Sequence, residues 1–108
     1  MNLNQYQEEA LKTAIFPKEY KILYPALKLA GEAGEVAEKV GKVLRDNNGY
    51  FDIEKKAQIA KEAGDVLWYI AAIADGIGYT LEDIASMNLH KLKDRQQRGV
   101  LQGSGDER

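Results

Sequence analysis

Two long segments with helical periodicity, separated by a few polar residues, constrain the fold of this chain more than any other feature. Apolar residues recur at helical spacing in residues 25–45 and again in residues 52–74. The stripes consist of Leu29, Val36, Val40 and Val43 in the first segment and of Ile59, Val66, Ile70 and Ile73 in the second. Because the turn around Asp46–Tyr50 is short, the two helices are expected to pack antiparallel with their stripes facing. The prediction is an all-α, four-helix bundle-like subunit built on two long antiparallel helices.

Helix boundaries are predicted from proline and from capping residues. Pro25 is expected at the first position of the second helix, and Asp52 is expected to cap the third. A first helix is expected over about Leu3–Thr13, and a fourth opens at the capping-box sequence Thr80–Asp83 and runs to about Arg98.

The domain organisation follows from the glycine content near the end of the sequence. Residues 1–98 are taken as one domain, since 108 residues suit a single core. The glycine-rich residues 99–108 have the composition of a flexible tail, and a role as a lid is the alternative.

Charge and cysteine content exclude several classes of function. The net charge of −2 gives no global field for holding duplex nucleic acid. There is no cysteine, so disulfides and thiolate zinc sites are excluded. No apolar run approaches the roughly 18 residues of a membrane span, and no secretory signal pattern opens the sequence, so a cytoplasmic protein without a membrane partner is expected.

A carboxylate motif is repeated once in each of the two long segments. The pattern Glu-Ala-Gly-acid-Val contains Glu32 and Glu35, and thirty positions later it contains Glu62 and Asp65. Each pair is spaced i, i+3 and lies at the margin of its apolar stripe. Packing of the stripes would therefore crowd four carboxylates at one edge of the helix interface.

Crowded carboxylates are unfavourable unless they are protonated or meet a cation. An all-oxygen ligand set suits Mg²⁺, with Mn²⁺ as a substitute, and disfavours zinc. The alternative is a set of solvated acids supported by lysines, because Glu35–Lys39, Glu38–Lys42 and Lys61–Asp65 are all spaced i, i+4. Spacing alone leaves both interpretations open.

Each of the two glycines of the repeat lowers helix stability by about 1 kcal/mol relative to alanine, so its presence inside a helix requires an explanation. Close backbone packing or ligand access at Gly34 and Gly64 are the two explanations that the sequence suggests.

Other candidate chemistry is sparse. Phosphate-loop, dinucleotide-binding and zinc-protease motifs are absent, and His90, the single histidine, is expected at the surface. Asn88, Lys91 and Arg95 share a face of the fourth helix and would suit phosphate oxygens, with a solvated helix end as the alternative. Tyr69 follows the second acid pair and is expected to line a pocket.

With "LAGEAGEV" and "KEAGDVLWYI" side by side, the chain resembles the MazG-like nucleotide pyrophosphohydrolases of the all-α NTP pyrophosphatase superfamily. That family is recognised by an ExxE pair followed by ExxD, which Glu32, Glu35, Glu62 and Asp65 match in order. The resemblance extends over about residues 24–98 and includes the basic segment "NLHKLKDRQQRG".

The resemblance implies Mg²⁺-dependent hydrolysis of nucleoside or deoxynucleoside triphosphates to monophosphate and pyrophosphate by a homodimer or homotetramer. It implies metal ligation by Glu32, Glu35, Glu62 and Asp65, a general-base role for Glu35, and substrate contacts from Lys39, Tyr69, Asn88, Lys91 and Arg95. The apolar residues Leu67, Trp68 and Ala71 are expected to form the surface on which subunits assemble. Phosphoribosyl-ATP pyrophosphohydrolase, a dUTPase-like activity and a non-catalytic helical interaction module are the alternatives.

Overall fold

The four helices and their order are those of an all-α subunit. The computed structural model describes residues 1–108 and contains no strand. Its helices are α1 (Leu3–Leu11), α2 (Leu23–Asp46), α3 (Ile53–Gly76) and α4 (Leu81–Arg98), with a 3₁₀ turn at Lys18–Tyr20 between the first two. The all-α prediction is confirmed, and α2 and α3 form the most extensive helix–helix contact. None of the helices combines the length and the apolar character that a membrane crossing needs.

Side-chain caps begin the last two helices as predicted. The Asp52 carboxylate accepts a hydrogen bond from the backbone N–H of Lys55 at 2.8 Å. Thr80 and Asp83 form a reciprocal capping box, in which each side chain accepts from the other's backbone N–H. Gly99, at φ 72°, ends α4 in the left-handed region that glycine adopts without strain.

The second helix begins earlier than the sequence predicts. Helix α2 starts at Leu23, so Pro25 is its third residue, and the prediction of Pro25 at the first position is wrong. Proline is accommodated there because the first four N–H groups of a helix have no intrahelical acceptor. Helix α1 ends at Leu11, two residues before the predicted Thr13.

A buried glutamine attaches α1 to the joint between α3 and α4. The Gln7 amide nitrogen donates to the backbone carbonyls of Ala71 at 3.1 Å and Tyr79 at 3.3 Å. Its carbonyl oxygen accepts from the backbone N–H of Leu81 at 3.1 Å. Because all of these groups are polar and sheltered, the bonds fix where α1 lies on the α3–α4 joint.

Close backbone approach positions the segment between α1 and α2. Gly76 is buried, and a Cβ added there would collide with the backbone carbonyl oxygen of Lys21. Glycine is therefore needed at the end of α3 so that the chain leading into α2 can cross it.

The subunit has little interior for its size. Only 9 of its 108 residues are buried, and its radius of gyration is 16.6 Å. A globular chain of this length would have a radius near 13 Å. The accessible surface of 7955 Å² exceeds the roughly 6,000 Å² expected from the mass by about 1,900 Å². The long helices and α4 therefore keep faces that no other part of this chain covers.

The apolar surface lies elsewhere than predicted. Ala71 is fully buried among residues that include Tyr6 and Leu81, and Trp68 is partly covered by the end of α1. The expectation that Leu67, Trp68 and Ala71 form an exposed assembly surface is therefore wrong for Trp68 and Ala71. The large apolar side chains that are at least 58% exposed on the helices are Leu23, Leu27, Leu44, Ile53, Met87 and Leu89.

Candidate metal and nucleotide site

The antiparallel packing of α2 and α3 brings three carboxylates of the repeated motif together. Ligand oxygens of Glu32, Glu62 and Asp65 all lie within 4.8 Å of one another. Glu32 and Glu62 are half-buried and Asp65 is exposed, so the group opens to solvent on one side. We call these three residues the acid cluster.

Glu35 lies outside the acid cluster. It is exposed, one turn beyond Glu32 on α2, and it is not among the residues whose oxygens converge. Its side chain forms neither an ion pair nor a hydrogen bond within the chain, so it is free to change rotamer. The structure thus brings together three of the four carboxylates that the motif contains.

Lysines do not neutralise the acid cluster. Of the three i, i+4 pairs that the sequence suggested, only Glu38–Lys42 forms, at 3.3 Å. Lys39 and Lys61 have no carboxylate partner within 4 Å. The helix-surface lysines that the sequence suggested as partners of the acid cluster therefore do not pair with it.

The donor set of the acid cluster fits a hard divalent cation. Three carboxylates supply oxygen ligands only, and no histidine lies among them. Mg²⁺ and Mn²⁺ prefer such ligands, and their charge would relieve the repulsion between the carboxylates.

The glycines of the repeat are not explained by close packing. Nothing lies within 4 Å of a Cβ added at Gly34 or Gly64, so the packing explanation is wrong. The remaining explanation, access for a ligand, agrees with their exposed position beside the acid cluster.

A cavity adjoins the acid cluster. It has a volume of about 660 Å³, and Glu32 and Asp65 form its polar side. The rest of its wall is made by Thr13, Ile15, Phe16, Pro17, Tyr24, Trp68 and Tyr69. Tyr69, which the sequence placed in a pocket, therefore lies in one, and the volume is in the range of small-molecule sites.

Two tyrosines near the acid cluster have raised pKa values. Burial, together with Tyr24 and Glu32, raises the pKa of Tyr69. Burial and the charge of Asp65 raise the pKa of Tyr6. Both phenols therefore stay neutral at physiological pH and keep a hydroxyl able to donate a hydrogen bond.

The basic residues of α4 form a second charged group, away from the first. Lys91 Nζ lies 2.6 Å from Asp106 Oδ1, and Arg95 Nη2 lies 3.1 Å from the same oxygen. Arg95 Nη2 also donates to the backbone carbonyl of Asp106 at 2.7 Å. We call Lys91, Arg95 and Asp106 the tail clasp. Hydrogen bonds from Lys91 and Arg95, together with their charges, hold the pKa of Asp106 below its usual value.

Within one subunit, the helix of the tail clasp contacts only one of the two helices that carry the acid cluster. Helix α4 packs against α1 and α3 but does not contact α2. Asn88 is exposed and borders the same small cavity as Lys91 and Asp106, so the shared face predicted from the sequence is present. Lys39 is half-buried on α2, and His90 is exposed as expected.

Sequence reasoning missed the residues that close the cavity opposite the acids. Thr13, Ile15 and Phe16 belong to an irregular segment, in which no periodicity marks the direction of a side chain. The available signal was the short apolar run Ala14–Ile15–Phe16 directly before Pro17.

Comparison with known proteins agrees with this geometry. Residues 23–100 match the MazG nucleotide pyrophosphohydrolase domain. The Gene 37 protein of Mycobacterium phage L5 is 41% identical over 114 aligned positions, which cover all of both chains. The uncharacterized protein YvdC of Bacillus subtilis strain 168 is 35% identical over 72 positions, covering 62% of this chain and 68% of YvdC. No solved structure matches the chain significantly.

The matched region contains α2, α3, α4 and the whole acid cluster. The all-α fold and the repeated carboxylate motif agree with that match, and together they identify this chain as a member of the MazG nucleotide pyrophosphohydrolase family.

Proposed function

We propose that the chain hydrolyses nucleoside and deoxynucleoside triphosphates to the monophosphate and pyrophosphate, with Mg²⁺ as its cation and Mn²⁺ as a substitute. One observation carries the proposal: three carboxylates without a cationic partner converge within 4.8 Å at the rim of a cavity of about 660 Å³. Repulsion among unpaired carboxylates would bring no benefit to a helical interaction module. Metal-dependent phosphate chemistry, in contrast, requires such a set of carboxylate ligands.

The proposal assigns the carboxylates two roles, metal ligation and proton transfer. Glu32, Glu62 and Asp65 hold the cation, and Glu35 is placed to turn toward it as a fourth ligand or to act as general base. A bound divalent cation would neutralise phosphate oxygens and make water more acidic. Glu35 accepts the proton of the attacking water, whose oxygen bonds to the α-phosphorus as the bond to the bridging oxygen breaks and pyrophosphate leaves.

The cations of α4 are proposed to bind the departing phosphates. Lys91 and Arg95 supply charge-assisted donors, Asn88 adds a neutral one, and Lys39 is proposed to contact the substrate from α2.

The shape of the subunit supports a homodimer or a homotetramer. The surface excess of about 1,900 Å² per subunit over a globular chain of equal mass exceeds the roughly 800 Å² that each partner buries in a stable interface of standard size. Exposed leucines on α2 and α4 supply apolar contact area. Sedimentation at micromolar concentration tests this, and a stable monomer would contradict it.

Product analysis is the experiment that tests the activity. The protein is incubated with each NTP and dNTP, with dUTP and with phosphoribosyl-ATP, first in Mg²⁺ and then in EDTA. We expect monophosphate plus pyrophosphate in Mg²⁺ and neither in EDTA. Release of orthophosphate, or no turnover of any nucleotide, would contradict the proposal.

A further inference from the structure

The wall of the cavity opposite the acids comes from outside the region that the family comparison matches. That region begins at residue 23, whereas Thr13, Ile15, Phe16 and Pro17 all line the cavity. Its polar side thus belongs to the family domain, and this part of its apolar side belongs to the N-terminal segment of this chain. We call residues 13–17 the cavity wall segment.

Aromatic rings join the cavity wall segment to the helices. Phe16 is stacked on Tyr24, with ring centroids 5.2 Å apart and planes inclined by 28°. Trp68 meets Phe16 edge to face at 6.2 Å and meets Tyr69 edge to face at 4.9 Å. The cavity therefore has a continuous aromatic lining beside its carboxylates.

Two polar groups of this lining, the Trp68 N–H and the Thr13 hydroxyl, are already used. Trp68 Nε1 donates to the Ala10 carbonyl at 3.1 Å and to Thr13 Oγ1 at 2.9 Å. Thr13 Oγ1 in turn donates to the Ala10 carbonyl at 2.6 Å. The indole N–H and the threonine hydroxyl hold the cavity wall segment in place, so neither is free to bind the polar edge of a base.

We infer that the cavity wall segment determines nucleotide specificity, with Phe16 as the group that contacts the base and Trp68 as a positioning residue. An aromatic lining recognises the face of a ring more than its edge, because only the hydroxyls of Tyr24 and Tyr69 remain on these rings to bond to an edge. The base is therefore selected by its stacking area, so purines bind better than pyrimidines and purines that differ only at the edge bind alike. This inference rests on the proposed function, because it assigns the base of that substrate to the cavity.

Uncharged nucleosides test binding separately from hydrolysis. Trp68 is the only tryptophan, so its fluorescence reports on this cavity alone. In EDTA, adenosine and inosine are expected to bind alike and cytidine about tenfold more weakly, as one stacking interaction allows. A larger difference between adenosine and inosine than between adenosine and cytidine would overturn the inference.

Substitution of Phe16 tests the assigned residue. Phe16→Leu keeps an apolar side chain but removes the ring, and Phe16→Ala removes both. In Mg²⁺, each is expected to raise the KM for ATP by about tenfold with little change in kcat, and to erase the preference over CTP. Unchanged KM values in a folded Phe16→Leu protein would overturn the inference.

Substitutions of Trp68 and of a distant aromatic residue are the two remaining tests. Trp68→Phe keeps a ring but loses the N–H that holds the cavity wall segment. It is therefore expected to raise the KM for purine and pyrimidine triphosphates by the same factor. A rise in KM for purines alone would show that Trp68 stacks on the base directly, and would overturn its role as a positioning residue. Tyr50→Ala removes an exposed ring outside the cavity and is expected to change nothing. If no variant or wild-type protein turns over a nucleotide while adenosine still binds, the proposed function fails and the assignment of the cavity stands.

Discussion

The acid cluster and the tail clasp are both groups of charged side chains, but only the tail clasp pairs opposite charges. The acid cluster holds three carboxylates and no cation, whereas in the tail clasp two cations share one carboxylate. Paired opposite charges contribute to the fold without a ligand, whereas unpaired carboxylates repel one another until they are protonated or bind a cation. The difference predicts that changes in the acid cluster lower activity without lowering stability, whereas changes in the tail clasp lower stability in addition to removing the phosphate contacts proposed for Lys91 and Arg95.

The largest effect is expected from neutralising one member of the acid cluster. Glu62→Gln or Asp65→Asn removes a proposed ligand, so activity should fall by at least about a hundredfold. The same change relieves repulsion, so the metal-free protein should melt at an equal or higher temperature than the wild type. Steady-state kinetics and thermal melts in EDTA measure the two effects.

Matched substitutions separate the site from the helix surface. Glu38→Gln removes an acid of α2 that is already paired with Lys42, and it should leave activity unchanged. Glu35→Gln tests the proposed general base, and we expect a fall in kcat. Full activity in Glu62→Gln and Asp65→Asn would remove the metal hypothesis.

Metal binding should stabilise the wild-type protein through the acid cluster alone. At a hundredfold excess of Mg²⁺ over its Kd, linkage gives about 2.7 kcal/mol, which corresponds to a rise in Tm of roughly 10 °C for a chain of this length. Glu32→Gln should lose most of this rise, and Arg95→Ala should keep it. A rise of the same size in Glu32→Gln would mean that the cation binds elsewhere.

Removal of the buried arginine should weaken the fold of the tail clasp. The Arg95 side chain is only 7% exposed, so Arg95→Ala leaves a gap and removes its bonds to Asp106. We expect a loss of about 1–3 kcal/mol, measured by urea unfolding. Arg98→Ala is the control, because Arg98 pairs with Asp94 at an exposed position and should matter by less than about 0.5 kcal/mol. Equal effects of the two substitutions would contradict the assignment.

The smallest effect is expected at Asp106, whose side chain is 72% exposed. Its pKa is lowered in the folded chain, so its contribution is complete above the unfolded value of 3.8 and is lost as the pH falls through the lower, folded value. Proteolysis of residues 99–108 should be faster in Asp106→Asn than in the wild type at neutral pH. High salt should reduce the difference. Equal rates at neutral pH and low salt would show that the clasp does not hold the tail.

Periodic features of this molecule could be predicted from sequence, and non-periodic ones could not. The long helices and the cap at Asp52 follow local rules that act within a few residues. The acid repeat could be placed near one interface because the short turn makes the helices antiparallel. That Glu35 lies outside the acid cluster was not predictable, because it depends on how far α2 is rotated about its axis.

Contacts between distant parts of the chain could not be predicted, because no local sequence pattern marks them. Gln7 looks like an ordinary polar residue of an amphipathic helix, yet it is buried because Ala71, Tyr79 and Leu81 offer it backbone partners. Asp106 likewise gains its role only when the chain folds back onto α4. Such pairings depend on tertiary packing, which overrides local propensity.

The attachment of α1 also determines how the cavity can open. A helix of nine residues is too short to be stable alone in water, so α1 persists through the bonds of Gln7 and the anchor that Trp68 provides. Release of those few bonds would free the cavity wall segment while α2 and α3 stay packed. Amide hydrogens of residues 3–17 should therefore exchange with solvent by local opening, long before the rest of the chain unfolds. Entry and exit of a ligand at the aromatic side would then depend on the lifetime of this short helix.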